Sequence, residues 1–122
     1  MVYFGKNRIH CAEVDSTNEE LKRLFSKKEL ENGTLLTTDF QTRGKGQMGA
    51  HWESSHGENF LGSFFLKPSI PVGEVFVLNM IVSLALRETV CEFLKGAVEI
   101  KWPNDIVVNG NKIAGVLIEN KF

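Results

Sequence analysis

The sequence predicts an α/β domain, a sheet with helices packed against it. Three observations carry that reading. Short β-favouring runs recur along the chain, and two segments show apolar residues at helical spacing. Polar clusters fall where strands end or a helix begins, which is where α/β sheets hold ligands. At 122 residues the chain is long enough for one hydrophobic core and reads as one domain.

Residues 9–14 read as a short strand. Asp15-Ser16-Thr17-Asn18 then precedes residues 19–28, where Leu21, Leu24 and Phe25 share helical spacing. Ser16 followed three residues later by Glu19 is a capping-box pattern, and acids in the first turn suit the helix dipole. Ser16 and Thr17 therefore read as caps. They also read as hydroxyls beside free N–H groups that can meet a polar ligand. After an Asn32-Gly33 turn, residues 34–38 form a second strand.

Residues 59–66 read as a strand apolar on both faces and so placed mid-sheet, with Gly62 marking a close approach to its backbone. The longest helix signal covers residues 74–95. There Val75, Leu78, Val82, Leu86, Val90 and Phe93 form a stripe, widened by Ile81, Leu84, Ala85 and Leu94. A stripe this broad predicts a helix well covered by its neighbours. Gly96 stops it. Residues 98–102 alternate as a strand that ends at Pro103, from which Asn104 and Asp105 project at a bend. Residues 106–108 and 112–119 flank Asn109-Gly110, the strongest short hairpin signal.

Between the second and third strands lies the loop that needs explaining, residues 38–52. It holds Gly44, Gly46 and Gly49, the cations Arg43 and Lys45, the amides Gln41 and Gln47, and Trp52. Such a stretch is either a mobile surface loop or a nest of backbone N–H groups for an anion. It is not a phosphate P-loop, because no Gly-Lys-Ser/Thr follows a four-residue gap. Nor is it a dinucleotide fingerprint, since a strand-like run and not a helix follows.

Charge and cysteine usage narrow the classes further. A net charge of −1 without a long basic run argues against a nucleic-acid partner. No apolar run reaches the roughly 20 residues of a membrane span, and residues 1–12 lack a signal-peptide core. Cys11 and Cys91 read as buried thiols, so a cytoplasmic protein is expected. No His/Cys/Asp cluster has zinc spacing, and His10, His51 and His56 are tied to no nucleophile. Chemistry here would run on positioning and charge. Lys45, Lys101 and Lys112 with Asp105 suit a phosphate-bearing substrate and a Mg²⁺, beside the plainer reading of Lys101–Asp105 as a surface ion pair.

Four motifs in order make a specific resemblance: Asp-Ser-Thr-Asn at 15–18, Gln-Thr-x-Gly-x-Gly-x-x-Gly-x-x-Trp at 41–52, Lys-Trp-Pro-Asn-Asp at 101–105, and Lys-Ile-Ala-Gly-Val-Leu-Ile-Glu at 112–119. Together they resemble the biotin protein ligases (biotin–acetyl-CoA-carboxylase ligases), over nearly the whole chain from Ile9. The resemblance implies a class II synthetase-like α/β (α+β) fold, a mixed β-sheet with helices packed against it. It implies ATP-dependent activation of biotin to biotinyl-5′-AMP, then transfer to a lysine of a biotin carboxyl carrier domain, with Mg²⁺.

Carried over residue by residue, it places biotin at Ser16, Thr17, Asn18, Gln41, Gly44, Lys45, Gly46, Gln47, Trp52, Lys112 and Gly115. It places ATP at Arg43, Lys45, Gln47, Lys101 and Asn104. Catalysis falls to Lys101, Asp105 and Lys112, and Mg²⁺ to Asp105. Ser16, Thr17 and Gln41 can satisfy a ureido group, and Trp52 can wall its rings.

Two departures stand out. Where the family's loop reads Gly-Arg-Gly-Arg, this one reads Gly44-Lys45-Gly46-Gln47, which keeps one charge without the guanidinium fork and loses the other. Family catalytic modules also continue with further strands and a small C-terminal β-domain. The chain is therefore expected to be the N-terminal part of such a module, a truncated one, with an open strand edge that favours a homodimer. A lipoate ligase or octanoyl transferase of the same superfamily, and a non-catalytic biotin-binding module, remain as alternatives.

Overall fold

The computed structural model describes residues 3–121 and divides after Pro68 into two compact units. The single mixed sheet expected from sequence is thus two three-stranded sheets, one in each unit.

In the first unit, β1 (Arg8–Val14) pairs in parallel with β2 (Thr34–Gln41), and β3 (Leu61–Phe65) pairs antiparallel with β2. The crossover between the parallel strands is α1 (Thr17–Lys27). Parallel partners need such a crossover, because a tight turn cannot reverse the chain twice. Period-two alternation sets which side chains meet the helix. Thr34, Leu36 and Thr38 of β2 are buried, and Leu36 lies in register with Ile9 of β1 and Ser63 of β3. Leu36 joins Leu21 of α1 and Leu30 in the core, with Ile9, Leu24 and Phe65 at its margin.

The middle strand is β2, so the mid-sheet position expected for β3 is corrected to an edge. Its alternation explains why. Leu61 and Ser63 are buried, while Phe64 points outward, 46% exposed, and tilts against Phe4 at 5.7 Å. Gly62 does mark a close approach: a Cβ there would stand 2.8 Å from the Phe60 ring.

In the second unit, β4 (Val98–Lys101), β5 (Asp105–Val108) and β6 (Asn111–Gly115) form an antiparallel meander, with α2 (Val75–Phe93) against β4 and β5. Asn109 (φ 50°) and Gly110 (φ 82°) join β5 to β6 as a two-residue loop with both central φ positive. That is the conformation an Asn-Gly pair favours. The return strand stops at Gly115, short of the expected Glu119.

The stripe predicted for α2 is only partly covered. Val75, Leu78, Val82, Leu86 and Val90 are half-buried and Ser83 is buried, but Ile81, Leu84, Ala85, Leu94 and Phe93 are exposed. The sheet of this unit offers one apolar face, built on buried Val98 and Ile106, and one face covers one stripe of a helix. Cys91 is exposed on this helix and Cys11 is half-buried, so the expectation of two buried thiols is corrected; both are free. Among the described residues, no helix is long and apolar enough to cross a membrane.

Candidate functional site

In the first unit the site begins where β1 and β2 end together. Parallel pairing puts both C-terminal ends on the same side, with Val14 opposite Gln41. Two further bonds carry that alignment into the loops: Thr42 N donates to Val14 O (2.9 Å) and Arg43 N to Asp15 O (2.7 Å). Segments 15–18 and 41–43, distant in sequence, are thereby neighbours.

Ser16 caps α1, its hydroxyl accepting from Glu19 N at 3.4 Å. The capping box is half formed. Ser16 N donates to the Asp15 carboxylate (2.8 Å), and the Glu19 carboxylate turns instead to Lys45 and to Lys22. Those two ammonium groups hold the Glu19 carboxyl below its ordinary range. Asp15 accepts a two-pronged bond from the Arg23 guanidinium, at 2.6 and 2.9 Å. That pair lowers its pKa to about 2.

Behind the cap runs a polar chain. Thr17 N and Thr17 Oγ1 both donate to Gln41 Oε1, at 2.9 and 3.2 Å. Thr17 Oγ1 also lies 2.6 Å from Ser63 Oγ, which in turn bonds the side chain of Asn18. Thr17 and Ser63 are buried. With Gln41 Oε1 facing the Thr17 N–H, its Nε2 lies toward Gly44: a Cβ on Gly44 would stand 3.0 Å from it.

The glycine loop is a closed hairpin. Trp52 N donates to Gly44 O (2.8 Å), Lys45 bridges to His51, and Gly46 N donates to Ala50 O (2.7 Å). A short 3₁₀ turn over Gln47–Gly49 makes the tip. Gly44 is glycine because the returning strand is so close: a Cβ would meet Trp52 O at 2.3 Å. The hairpin and the end of β2 bound a cleft of about 340 Å³ between Gln41, Arg43, Gly44, His51 and Trp52. That volume suits a small ligand.

The second unit carries the remaining candidates on one sheet face. Lys101 stands opposite Asp105 across β4 and β5. The register between β5 and β6 slips by one residue: Val107 faces Lys112 but Ile106 faces Ala114, so Ile113 is the extra residue of a bulge. The slip puts Lys112 and Gly115, three apart, on the face that also holds Lys101 and Asp105. Lys112 Nζ lies 3.1 Å from Asp105 Oδ1, so the ion pair on Asp105 comes from Lys112, where the sequence suggested Lys101.

Asn104 differs from the others. It is buried and its amide donates to Val116 O, while Val116 N donates back to Asn104 O (3.3 Å). Its side chain fastens the end of β6 to the β4–β5 turn.

Sequence reasoning missed Glu19 as the partner of Lys45, and missed Ser63 altogether. The signal for Ser63 was available: a lone hydroxyl at an inward position of an apolar strand.

The first unit thus carries a capped helix at the ends of two parallel strands and a glycine hairpin over a small cleft, and the second a sheet face with two ammonium groups and one carboxylate. The family model of the biotin/lipoate A/B protein ligases matches residues 11–122, and the chain belongs to that family. It is similar to the bifunctional ligase/repressor BirA of Bacillus subtilis, with 34% identity over 94% of this chain and 35% of the relative. Among solved structures it resembles the biotin protein ligase of Aquifex aeolicus in complex with biotin and ATP (TM-score 0.79, 36% identity, 94% of this chain and 47% of that one). It also resembles the Leishmania major enzyme in complex with biotinyl-5-AMP (TM-score 0.77, 32% identity, 95% and 53%). The chain therefore spans about a third to a half of the length of these relatives. The comparisons do not support the homodimer expected from an open strand edge.

Proposed function

We propose that this chain takes part in ATP-dependent activation of biotin to biotinyl-5′-AMP, followed by transfer to a lysine of a biotin carboxyl carrier protein. The observation that carries this reading is the Thr17–Gln41 pair beside the Trp52 cleft. It offers fixed donors and acceptors next to an aromatic wall, which suits a ureido ring system. Relatives solved with biotin and ATP, or with biotinyl-5-AMP, support the same substrates.

Each residue has a physical part in that reaction. Ser16, Thr17, Asn18 and Gln41 orient the ureido end, and Trp52 excludes water from its apolar rings. Gly44, Lys45, Gly46 and Gln47 close the hairpin against the ligand, while Arg43 and Lys45 offer charge to phosphate. On the second unit, Lys112 and Lys101 share one sheet face and supply positive charge of the kind that stabilises the charge building when a carboxylate attacks an α-phosphate and pyrophosphate departs. Gly115 shares their face, and Asn104 keeps that face in register through Val116.

The described residues contain no group of three metal-ligating side chains. Asp105, whose Oδ1 faces Lys112, would have its other oxygen for a Mg²⁺ that arrives on ATP and keeps its waters and phosphate oxygens, since such ions need only one or two protein carboxylates. When bound, the ion would neutralise phosphate charge. We place the reaction in the cytoplasm.

The test is biotin-dependent exchange of pyrophosphate into ATP by the purified chain, with lipoate as the parallel substrate. Exchange with biotin alone is expected. Exchange with lipoate alone would move the chain to the lipoate branch of its family, and biotin binding without exchange would make it a non-catalytic module.

A further inference from the structure

We infer that Glu19 sets how strongly the cleft takes an anionic ligand, because it competes for the Lys45 ammonium with a carboxylate or phosphate oxygen of that ligand. That the ligand is biotin or ATP rests on the biotin reading above; the competition for Lys45 does not.

The hairpin places the competitors. Lys45 and His51 stand opposite each other, flanked by the bonds from Gly46 N to Ala50 O and from Trp52 N to Gly44 O. Bonds that flank a pair, and do not join it, mark the narrow antiparallel pairing, in which the two side chains share a face and lie close together. His51 lines the cleft with Arg43 and Gln41. Lys45 starts from the same face, yet its ammonium goes to Glu19 on α1. That contact, more than the one from Lys22, holds the Glu19 carboxyl below its ordinary range.

The exchange of partners is easy on the Glu19 side. Glu19 keeps Lys22 at 3.1 Å, and it lies in the first turn of α1, where the helix dipole favours a carboxylate. Giving up Lys45 therefore leaves no bare charge behind. Both side chains of the Glu19–Lys45 pair are partly exposed, so the pair is weak enough for a ligand anion to break. Breaking it subtracts from the affinity of the charged ligand. A ligand of the same shape without the anion makes no demand on Lys45 and loses nothing to Glu19.

The experiment has two arms. The first follows titration of the Glu19 carboxyl by ¹³C NMR. It is expected to titrate at higher pH in Lys45→Gln than in wild type. Inorganic pyrophosphate, by drawing the ammonium away, should move the wild-type carboxyl in the same direction and Lys45→Gln much less. A Glu19 carboxyl that responds to neither change overturns the proposal, as does an equal response to pyrophosphate in both proteins.

The second arm measures Kd by calorimetry for biotin against neutral biotinamide, which reports a carboxylate, and for ATP against adenosine, which reports phosphate. The proteins are wild type, Glu19→Gln, Lys45→Gln and the double variant. Glu19→Gln is expected to tighten the charged ligand that Lys45 serves by about 3-fold, the scale of one exposed ion pair, and to leave its neutral counterpart unchanged. The gain should vanish in the Lys45→Gln background. A gain kept there means only that a repelling charge was removed, and it overturns the proposal; so does a Glu19→Gln chain that binds neither charged ligand more tightly. A wild-type chain that binds neither biotin nor ATP overturns the biotin reading, and the pyrophosphate titration then decides the competition alone.

Discussion

Lys112 and Asp105 face each other at 3.1 Å because β6 carries one residue more than β5 opposite it. The extra residue, Ile113, turns the strand so that the ammonium group and Gly115 come to the face already holding Asp105 and Lys101. Both partners are partly exposed, so the pair itself adds little stability. Its consequence is placement. The carboxylate holds a long, flexible side chain in one orientation.

Lys112→Ala is expected to lower biotin adenylate formation by about 10²-fold or more, the usual effect of removing a positioned donor from developing charge. Single-turnover measurement of biotinyl-5′-AMP checks this. An unchanged rate would remove Lys112 from the reaction.

Asp15 gives a pH-dependent contribution whose sign is fixed. Arg23 lowers its pKa from 3.8 to about 2 in the folded chain. The stabilisation is fully present above about pH 4 and is lost as pH falls through 2, because protonation of the carboxylate then breaks the pair. Asp15→Asn should therefore lower Tm at pH 7, with an effect that shrinks below about pH 4 and vanishes only as the pH drops below about 2. Since the pair is partly solvent-exposed, the difference should also shrink at high salt. Thermal melts of both proteins across this range provide the comparison.

Gly44→Ala should open the glycine hairpin, because the new Cβ would lie 2.3 Å from the backbone oxygen of Trp52 and backbone cannot swing aside as a side chain can. A cost of about 1–3 kcal/mol is expected, typical of overpacking. Faster amide exchange at Trp52, whose N–H bonds Gly44 O, is the local signature. Gly49→Ala meets no atom within 4 Å and bears only the strain of φ +77°, so the Trp52 amide should stay protected.

Leu36→Ala removes the fully buried centre of the first unit's core. A loss of about 2–5 kcal/mol is expected from lost burial and the cavity left behind. Urea unfolding should show a lower midpoint with an unchanged slope.

The sequence by itself determined what short-range chemistry controls. The cap at Ser16, the strand of residues 34–38 (which runs on to Gln41 in the structure), the Asn109-Gly110 turn and the stripe Val75–Leu78–Val82–Leu86–Val90 are each written within a few residues, and each is present. Within the first unit, so is the placing of the Ser16 and Gln41 clusters at strand ends. Only the tertiary structure decided how those pieces pair. One expected sheet is two, β3 moves from the middle to an edge, and α2 half-buries one stripe and exposes most of the rest. Glu19 leaves its capping role for Lys45, 26 residues away, and Ser63 reaches Thr17 across 46. Asn104, which the motif pointed at phosphate, is buried against Val116. The physical reason is register. A one-residue slip such as the bulge at Ile113 sends a side chain to the opposite face, and periodicity within a strand carries no record of which residue of its partner it meets.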